Sequence, residues 1–282
     1  LADHLAKVLA LLEFFKLVSE LKPAFFLAEN VPGILGEQYK KIRDKGKKLV
    51  AKEYQLLEPL KIAANDFGAA TTRTRIFFIG IRNDISGATD LLKAIEAQKT
   101  EHSTFVKNAL DGLPLEVSED WQDYESSWRK IEVPRSNEYF VTLNKVCEGI
   151  GDPISINRFL QSKEVSGCFG TVHSALVRKR FNKLTQGQKD QTSKMVRLNA
   201  EGFCPTLRAG TDNTKGSYQS VRPIHPFLPR VITPREAARL QGFPDWFQFH
   251  ETKWHSFRQI GNSVCPIAAE KILSTIRDVI SK

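Results

Sequence analysis

An unbroken apolar run, Ala24-Phe25-Phe26-Leu27-Ala28, ends abruptly in a carboxylate, an amide and a turn, Glu29-Asn30-Val31-Pro32-Gly33. Such a run predicts a central strand covered on both faces, and open α/β sheets bind ligands beyond the carboxyl ends of such strands. A carboxylate placed there can give a proton or a hydrogen bond to a ligand; it can equally cap a strand-to-helix turn. Farther on, Thr71-Thr72-Arg73-Thr74-Arg75 runs into Ile76-Phe77-Phe78-Ile79-Gly80-Ile81. Guanidinium groups at i and i+2 of a strand share a face, where they can hold a carbonyl or phosphate or simply guard a sheet edge. If the strands are parallel, both arginines stand at the Glu29 end of the sheet. A polar glycine turn, Gln259-Ile260-Gly261-Asn262-Ser263-Val264, precedes apolar residues at helical spacing and can cradle an anion or a cofactor edge.

Two stretches suit a polyanion. The loop Thr206–Tyr218 combines glycines, hydroxyls and an amide with Arg208 and Lys215, a mixture that fits a sugar-phosphate backbone as well as an ordinary polar loop. Residues 163–197 carry eight basic side chains, Arg178, Lys179 and Arg180 among them, against Glu164 and Asp190, a net of +6.

The elements that must position these groups can be read in outline. Leu1, Leu5, Val8, Leu9, Leu12 and Phe15 recur at helical spacing and predict a helix feeding the strand that ends at Glu29. Residues 34–49 are lysine-rich and helical in rhythm, residues 53–60 predict a second strand, and residues 75–81 a third. From about 83 to 220 the pattern breaks into short irregular segments, read as a separate small domain. Thr233-Pro234-Arg235-Glu236 then opens a helix with an N-cap, a proline at the first position and a capping-box glutamate; Gly242 and Pro244 end it. His250-Glu251-Thr252-Lys253-Trp254-His255 resembles a zinc-protease signature, but histidines five apart point about 140° apart on a helix, so no metal site is predicted.

With 282 residues, 41% hydrophobic and 26% charged, the composition is that of a globular protein. A formal charge of +9 makes nucleic acid the first candidate partner. Cys147, Cys168, Cys204 and Cys265 lie too far apart for a CxxC pair, which argues against a zinc ribbon or a disulfide framework. Charged residues interrupt the first apolar stretch, so neither a signal peptide nor a membrane span is predicted, and a cytoplasmic location follows. Residue 1 is Leu and Met195 is the only methionine, which suggests a chain cut from a longer one.

In this order the blocks resemble those of the DNA (cytosine-5) methyltransferases. Glu29-Asn30-Val31 is similar to that family's ENV motif, Arg73-Thr74-Arg75 to the RxR of its QxRxR motif, and Ala109-Leu110-Asp111-Gly112-Leu113-Pro114 to a segment that often follows. Residues 234–245 and 259–264 are similar to its last two motifs. The resemblance implies an α/β fold: the C-terminal part of a Rossmann-like methyltransferase domain (1–84 and 229–282) with an inserted target-recognition domain (85–228). It implies methyl transfer from S-adenosylmethionine to carbon 5 of a cytosine flipped out of double-stranded DNA, in a restriction-modification setting. Glu29 would act at N3, Arg75 on the base and Arg73 on its surroundings; Asn262, Ser263 and Val264 would border the cofactor, and the Thr233–Gln241 helix would support the recognition domain. Arg208, Lys215, Arg178, Lys179 and Arg180 are the candidate DNA contacts. The chain departs from the pattern at Thr71, where the family has Gln, and at Cys265, where it often has Pro. It also lacks the Gly-rich cofactor loop and the nucleophile-bearing Pro-Cys. The chain alone is therefore expected to be inactive, completed by an N-terminal half in cis or a catalytic partner in trans; the rival reading is a non-catalytic recognition subunit docking on such a partner.

Overall fold

Helical spacing of apolar residues produces α1 (Ala2–Leu21), whose Leu11, Phe15 and Val18 are buried. The computed structural model describes residues 2–86, 88–118, 120, 123–210 and 222–281. The chain divides into two compact units: Leu1–Ala63, Thr74–Lys99 and Ala269–Lys282 in the first, Ala64–Arg73 and Thr100–Ala268 in the second. Residues 234–262, which carry most of the last two motifs, thus count with the second unit.

In the first unit, α1 is followed by β1 (Phe25–Asn30), α2 (Lys40–Val50), β2 (Tyr54–Leu56), β3 (Leu60–Ala63), β4 (Thr74–Arg82) and α3 (Ala88–Glu96). The long strand β4 is the axis of the sheet. β1 pairs with it from Phe25↔Ile81 to Asn30↔Ile76, while β2 and β3 pair with its other edge, and every pairing is antiparallel. Two expectations are corrected here. The strand covered on both faces is β4, whose Ile76–Ile81 are all buried, whereas β1 pairs only with β4 among the described residues and alternates buried with half-buried positions. The parallel arrangement anticipated for the strands bearing Glu29 and the arginines is antiparallel. An apolar run reveals burial but not the direction of the neighbouring strand. The single strand read at 53–60 is two, parted at Pro59, which has no N–H to give a ladder.

One face of this sheet builds the core. Phe26 and Ala28 of β1 join Ile76 and Phe78 of β4, Phe15 of α1 and Tyr54 of β2. Phe15 meets Phe26 edge-on with ring centroids 5.6 Å apart. Register is therefore fixed: a slip of one residue would turn Glu29 into this apolar layer and Phe26 out of it.

The second unit holds short elements: α4 (Val106–Leu110), β5 (Arg129–Lys130), α5 (Glu138–Leu143), α6 (Pro153–Ser162), β6 (Glu164–Val165), α7 (Ala175–Asn182), α8 (Pro234–Gln241) and α9 (Lys253–Asn262). Its centre is α8, every residue of which is buried. The predicted cap is present: the Thr233 Oγ1 accepts from the Glu236 N–H at 3.1 Å and a Glu236 carboxylate oxygen accepts from the Thr233 N–H at 2.8 Å. The charged side chains of α8 are all engaged among the described residues. Arg239 forks onto Asp245 at 2.8 and 2.7 Å, Arg235 donates to the carbonyls of Ser166, Pro244 and Phe247, and Arg230 forks onto Glu236 at 2.9 and 2.7 Å. Arg239 also donates to the carbonyls of Ala109 and Asp111, which fixes the Ala109–Pro114 segment against the helix. The last helix, α10, runs Pro266–Ile280. No described helix is long and apolar enough to cross a membrane.

Candidate active site

Glu29 lies opposite Phe77 in the β1–β4 ladder. Arg75 stands two residues before Phe77 and so on the same face, at the diagonal position that a long side chain can span. The two meet: Arg75 Nε is 2.5 Å from Glu29 Oε1, with the side chains 13% and 25% exposed. Antiparallel pairing is what makes this contact possible, because it brings the end of β1 beside the start of β4. Arg75 Nη1 donates to the Thr74 carbonyl at 2.8 Å, and Nη2 has no hydrogen bond among the described residues. Burial pulls the guanidinium down from its usual range while the Glu29 charge opposes that pull. The turn beyond Glu29 is built locally: the Asn30 Oδ1 accepts from the Val31 N–H at 2.9 Å, Pro32 begins a 3-10 turn, and Arg43 of α2 donates to the carbonyls of Ile34 and Gly36. A carboxylate and a partly buried guanidinium therefore stand side by side.

Arg73 is not on this face. The strand begins at Thr74, and the Arg73 guanidinium, on a residue 2% exposed, donates to the carbonyls of Leu207 at 3.0 Å and Gly261 at 2.8 Å. The Gly261–Val264 turn closes α9. Asn262 is exposed, and its amide makes no hydrogen bond among the described residues; Ser263 and Val264 are half-buried. The Ser263 hydroxyl donates to the Ile260 carbonyl at 2.8 Å, and Gln241 Nε2 lies 3.4 Å from the Ser263 carbonyl.

The cations proposed from sequence fall into distinct environments. Arg208, Arg178 and Lys179 are exposed. Arg180 is half-buried and holds Asp190 at 2.8 Å, while Asp190 also accepts from Ser193. Arg197, from the same basic run, is buried and donates to three carbonyls. Lys215 and the rest of residues 211–218 lie outside the described residues.

Sequence reasoning passed over two cations. Lys253 donates to the Gly170 carbonyl at 2.8 Å, and burial pushes it down to about 8, with Arg222 adding to the effect. Arg222, pushed down to about 10 by burial, lies over the Phe257 ring at 4.2 Å. Spacing carries no signal for either, since burial comes from distant segments. His250 and His255 also differ from expectation: α9 starts at Lys253, so they do not share a helix. Their rings lie 4.4 Å apart with the Thr252 hydroxyl bonded to both.

The sheet and its helices make an α/β fold, and likeness to solved structures makes it an α/β methyltransferase fold. The methyltransferase Dnmt2 of Schizosaccharomyces pombe superposes with a TM-score of 0.52 over 92% of this chain and 68% of its own, at 15% identity, a likeness of fold. A structure described as a DNA modification methyltransferase encoded within an Escherichia coli prophage superposes with a TM-score of 0.86 at 47% identity, over 96% of this chain and 74% of its own. The sequence model of the C-5 cytosine-specific DNA methylases matches residues 9–278, and the chain belongs to that family. Among curated relatives, the Type II methyltransferase M.XorII of Xanthomonas oryzae pv. oryzae is 34% identical over 95% of this chain, and M.DdeI of Desulfomicrobium norvegicum 29% over 94%. The chain spans 62% and 65% of the lengths of those two relatives.

Proposed function

We propose that this chain carries the base-holding and DNA-recognition parts of a DNA cytosine-5 methyltransferase of restriction-modification type. The Glu29–Arg75 pair is the observation that carries the reading. Carbon 5 of cytosine becomes nucleophilic once a thiolate has added to carbon 6, pushing the electrons of the C5=C6 bond into the ring. Glu29 places a proton at N3 as that charge arrives, and Arg75 directs its free Nη2–H to the carbonyl oxygen of the base. After methylation, loss of the C5 proton and expulsion of the thiolate restore the aromatic ring, and Glu29 takes the N3 proton back. None of these atoms is reachable in a stacked duplex, so the base must be flipped out to meet the pair.

S-adenosylmethionine supplies the methyl group, as a sulfonium electrophile. The donor set of Gly261–Val264 fits one edge of it: an exposed amide at Asn262 with no partner among the described residues, beside the half-buried Val264. The thiolate is assigned to chain outside these residues, in cis or on a partner. No cysteine here follows a proline; three of the four are buried, and burial pushes the thiols of Cys168 and Cys265 up to about 12 and 11, and that of Cys204 up as well. The 282 residues alone are then inactive. The test is to incubate the full protein with duplex DNA and labelled S-adenosylmethionine and identify the labelled nucleoside. 5-Methyldeoxycytidine is expected; label on an exocyclic amine would sink the proposal.

Within the proposed recognition domain, 85–228, the basic run divides by environment. Lys179→Ala removes an exposed cation and should lower the slope of log DNA affinity against log salt by about 0.9 with no change in stability. Arg180→Ala strips Asp190 of its ion-pair partner and should destabilise the fold by about 1–3 kcal/mol. Urea titrations and salt series on both variants measure this; an unchanged salt slope for Lys179→Ala would return that residue to plain surface.

A further inference from the structure

Arg73 belongs to a motif whose cations are expected on the substrate, yet its geometry serves another purpose. A guanidinium on a residue 2% exposed, with Nη1 on the Leu207 carbonyl and Nη2 on the Gly261 carbonyl, has no route to a phosphate or a base. It joins two segments that carry candidate ligand contacts. The first is the loop leading to Arg208. That loop is anchored to the chain just before Arg73, because the Cys204 N–H donates to the Ala70 carbonyl at 2.8 Å and the Thr72 N–H to the Cys204 carbonyl at 3.0 Å. The second is the Gly261–Val264 turn. The two are packed backbone to backbone: a Cβ at Gly261 would overlap the Ala209 nitrogen and the Arg208 carbonyl carbon, so only glycine allows the approach. Arg73 thus holds the carbonyl on one side of Asn262, while Gln241 reaches the Ser263 carbonyl on the other. Of the described donors to these two carbonyls, Arg73 is the charged one.

We propose that Arg73 is a positioning residue, which fixes the cofactor-facing turn at Asn262 against the Arg208 loop and touches neither base nor phosphate. The inference rests on the reading of Asn262–Val264 as an S-adenosylmethionine edge. Because the loop and the turn share one clasp, a ligand that orders the turn also orders the loop.

S-adenosylhomocysteine, titrated calorimetrically into the full protein, is the probe. Arg73→Gln should raise its Kd about tenfold while the salt slope of DNA affinity stays unchanged, and Arg73→Lys, which restores a charged donor, should recover part of the loss. A salt slope lowered by about 0.9 with unchanged Kd would make Arg73 a phosphate contact and overturn the proposal. Gly261→Ala, which leaves Arg73 in place but forces the loop off the turn, should raise the Kd similarly; an unchanged Kd counts against the clasp. A third measurement needs no substitution: S-adenosylhomocysteine should slow amide hydrogen exchange at residues 204–209 of the unaltered protein, and unchanged exchange there overturns the proposal. Asn262→Ala separates the two layers of argument. If it leaves the Kd untouched, the cofactor-edge reading fails; if it raises the Kd and Arg73→Gln does not, only the role of Arg73 fails.

Discussion

Glu29→Gln in the full protein should cut the single-turnover rate of methyl transfer by about 10²–10⁴-fold, the usual contribution of a positioned proton donor. Gln keeps the length and has amide N–H donors, so it can still hydrogen-bond N3, but it has no proton to give as charge builds in the ring. DNA affinity should change little. The side chain is 25% exposed at the end of β1, outside the apolar layer of Phe26 and Ala28, so the substitution leaves the core intact. Arg75 loses the charge that opposes its burial but keeps its bond to the Thr74 carbonyl. Rapid-quench measurement of label transferred to DNA reads the effect. A rate within threefold of the unaltered protein would remove Glu29 from the chemistry.

Asp245→Ala should destabilise the fold by about 3–5 kcal/mol, the typical result of stripping one partner from a buried ion pair. Asp245 is 0% exposed; it accepts from Arg239 Nε and Nη2 and from Asn144 Nδ2 at 3.2 Å. Its loss leaves the Arg239 guanidinium, on a residue 1% exposed, with carbonyls for partners and no counter-charge. Replacing both residues with apolar ones of similar volume should cost less than the single change, since no unpaired charge then remains. Urea unfolding compares the three proteins. A loss below about 1 kcal/mol for Asp245→Ala would mean that the pair is dispensable to the second unit.

Much of what positions the candidate active site is legible in residue types. The Glu29 strand end, the Arg75 entry to β4, and the Thr233 cap with its glutamate three residues on are local patterns, and the structure has all three. What local pattern cannot carry is pairing direction and distant burial. Ala24–Ala28 reads as a two-sided strand, but the strand buried on both faces is β4, and the antiparallel ladder that puts Glu29 beside Arg75 appears only once the two are aligned. Arg73 and Arg75 look equivalent at i and i+2; a strand starting at Thr74 separates them, leaving one beside Glu29 at the start of β4 and the other clamped on carbonyls from residues 207 and 261. Arg235, Glu236 and Arg239 carry charge, and no local pattern tells that all three are buried, because their partners come from Ser166, Arg230 and Asp245.

The central claim is that Glu29 and Arg75 act together on one base, and a double-mutant cycle on the methyl-transfer rate tests it most directly. Glu29→Gln, Arg75→Gln and the double variant are compared in the full protein with the same duplex. Two groups that grip the same ring through one transition state should be strongly non-additive, the double variant losing little more than the worse single one. Losses that multiply across the two substitutions would mean that the groups act independently, and the paired site at the β1–β4 edge would not be the place where the base is held.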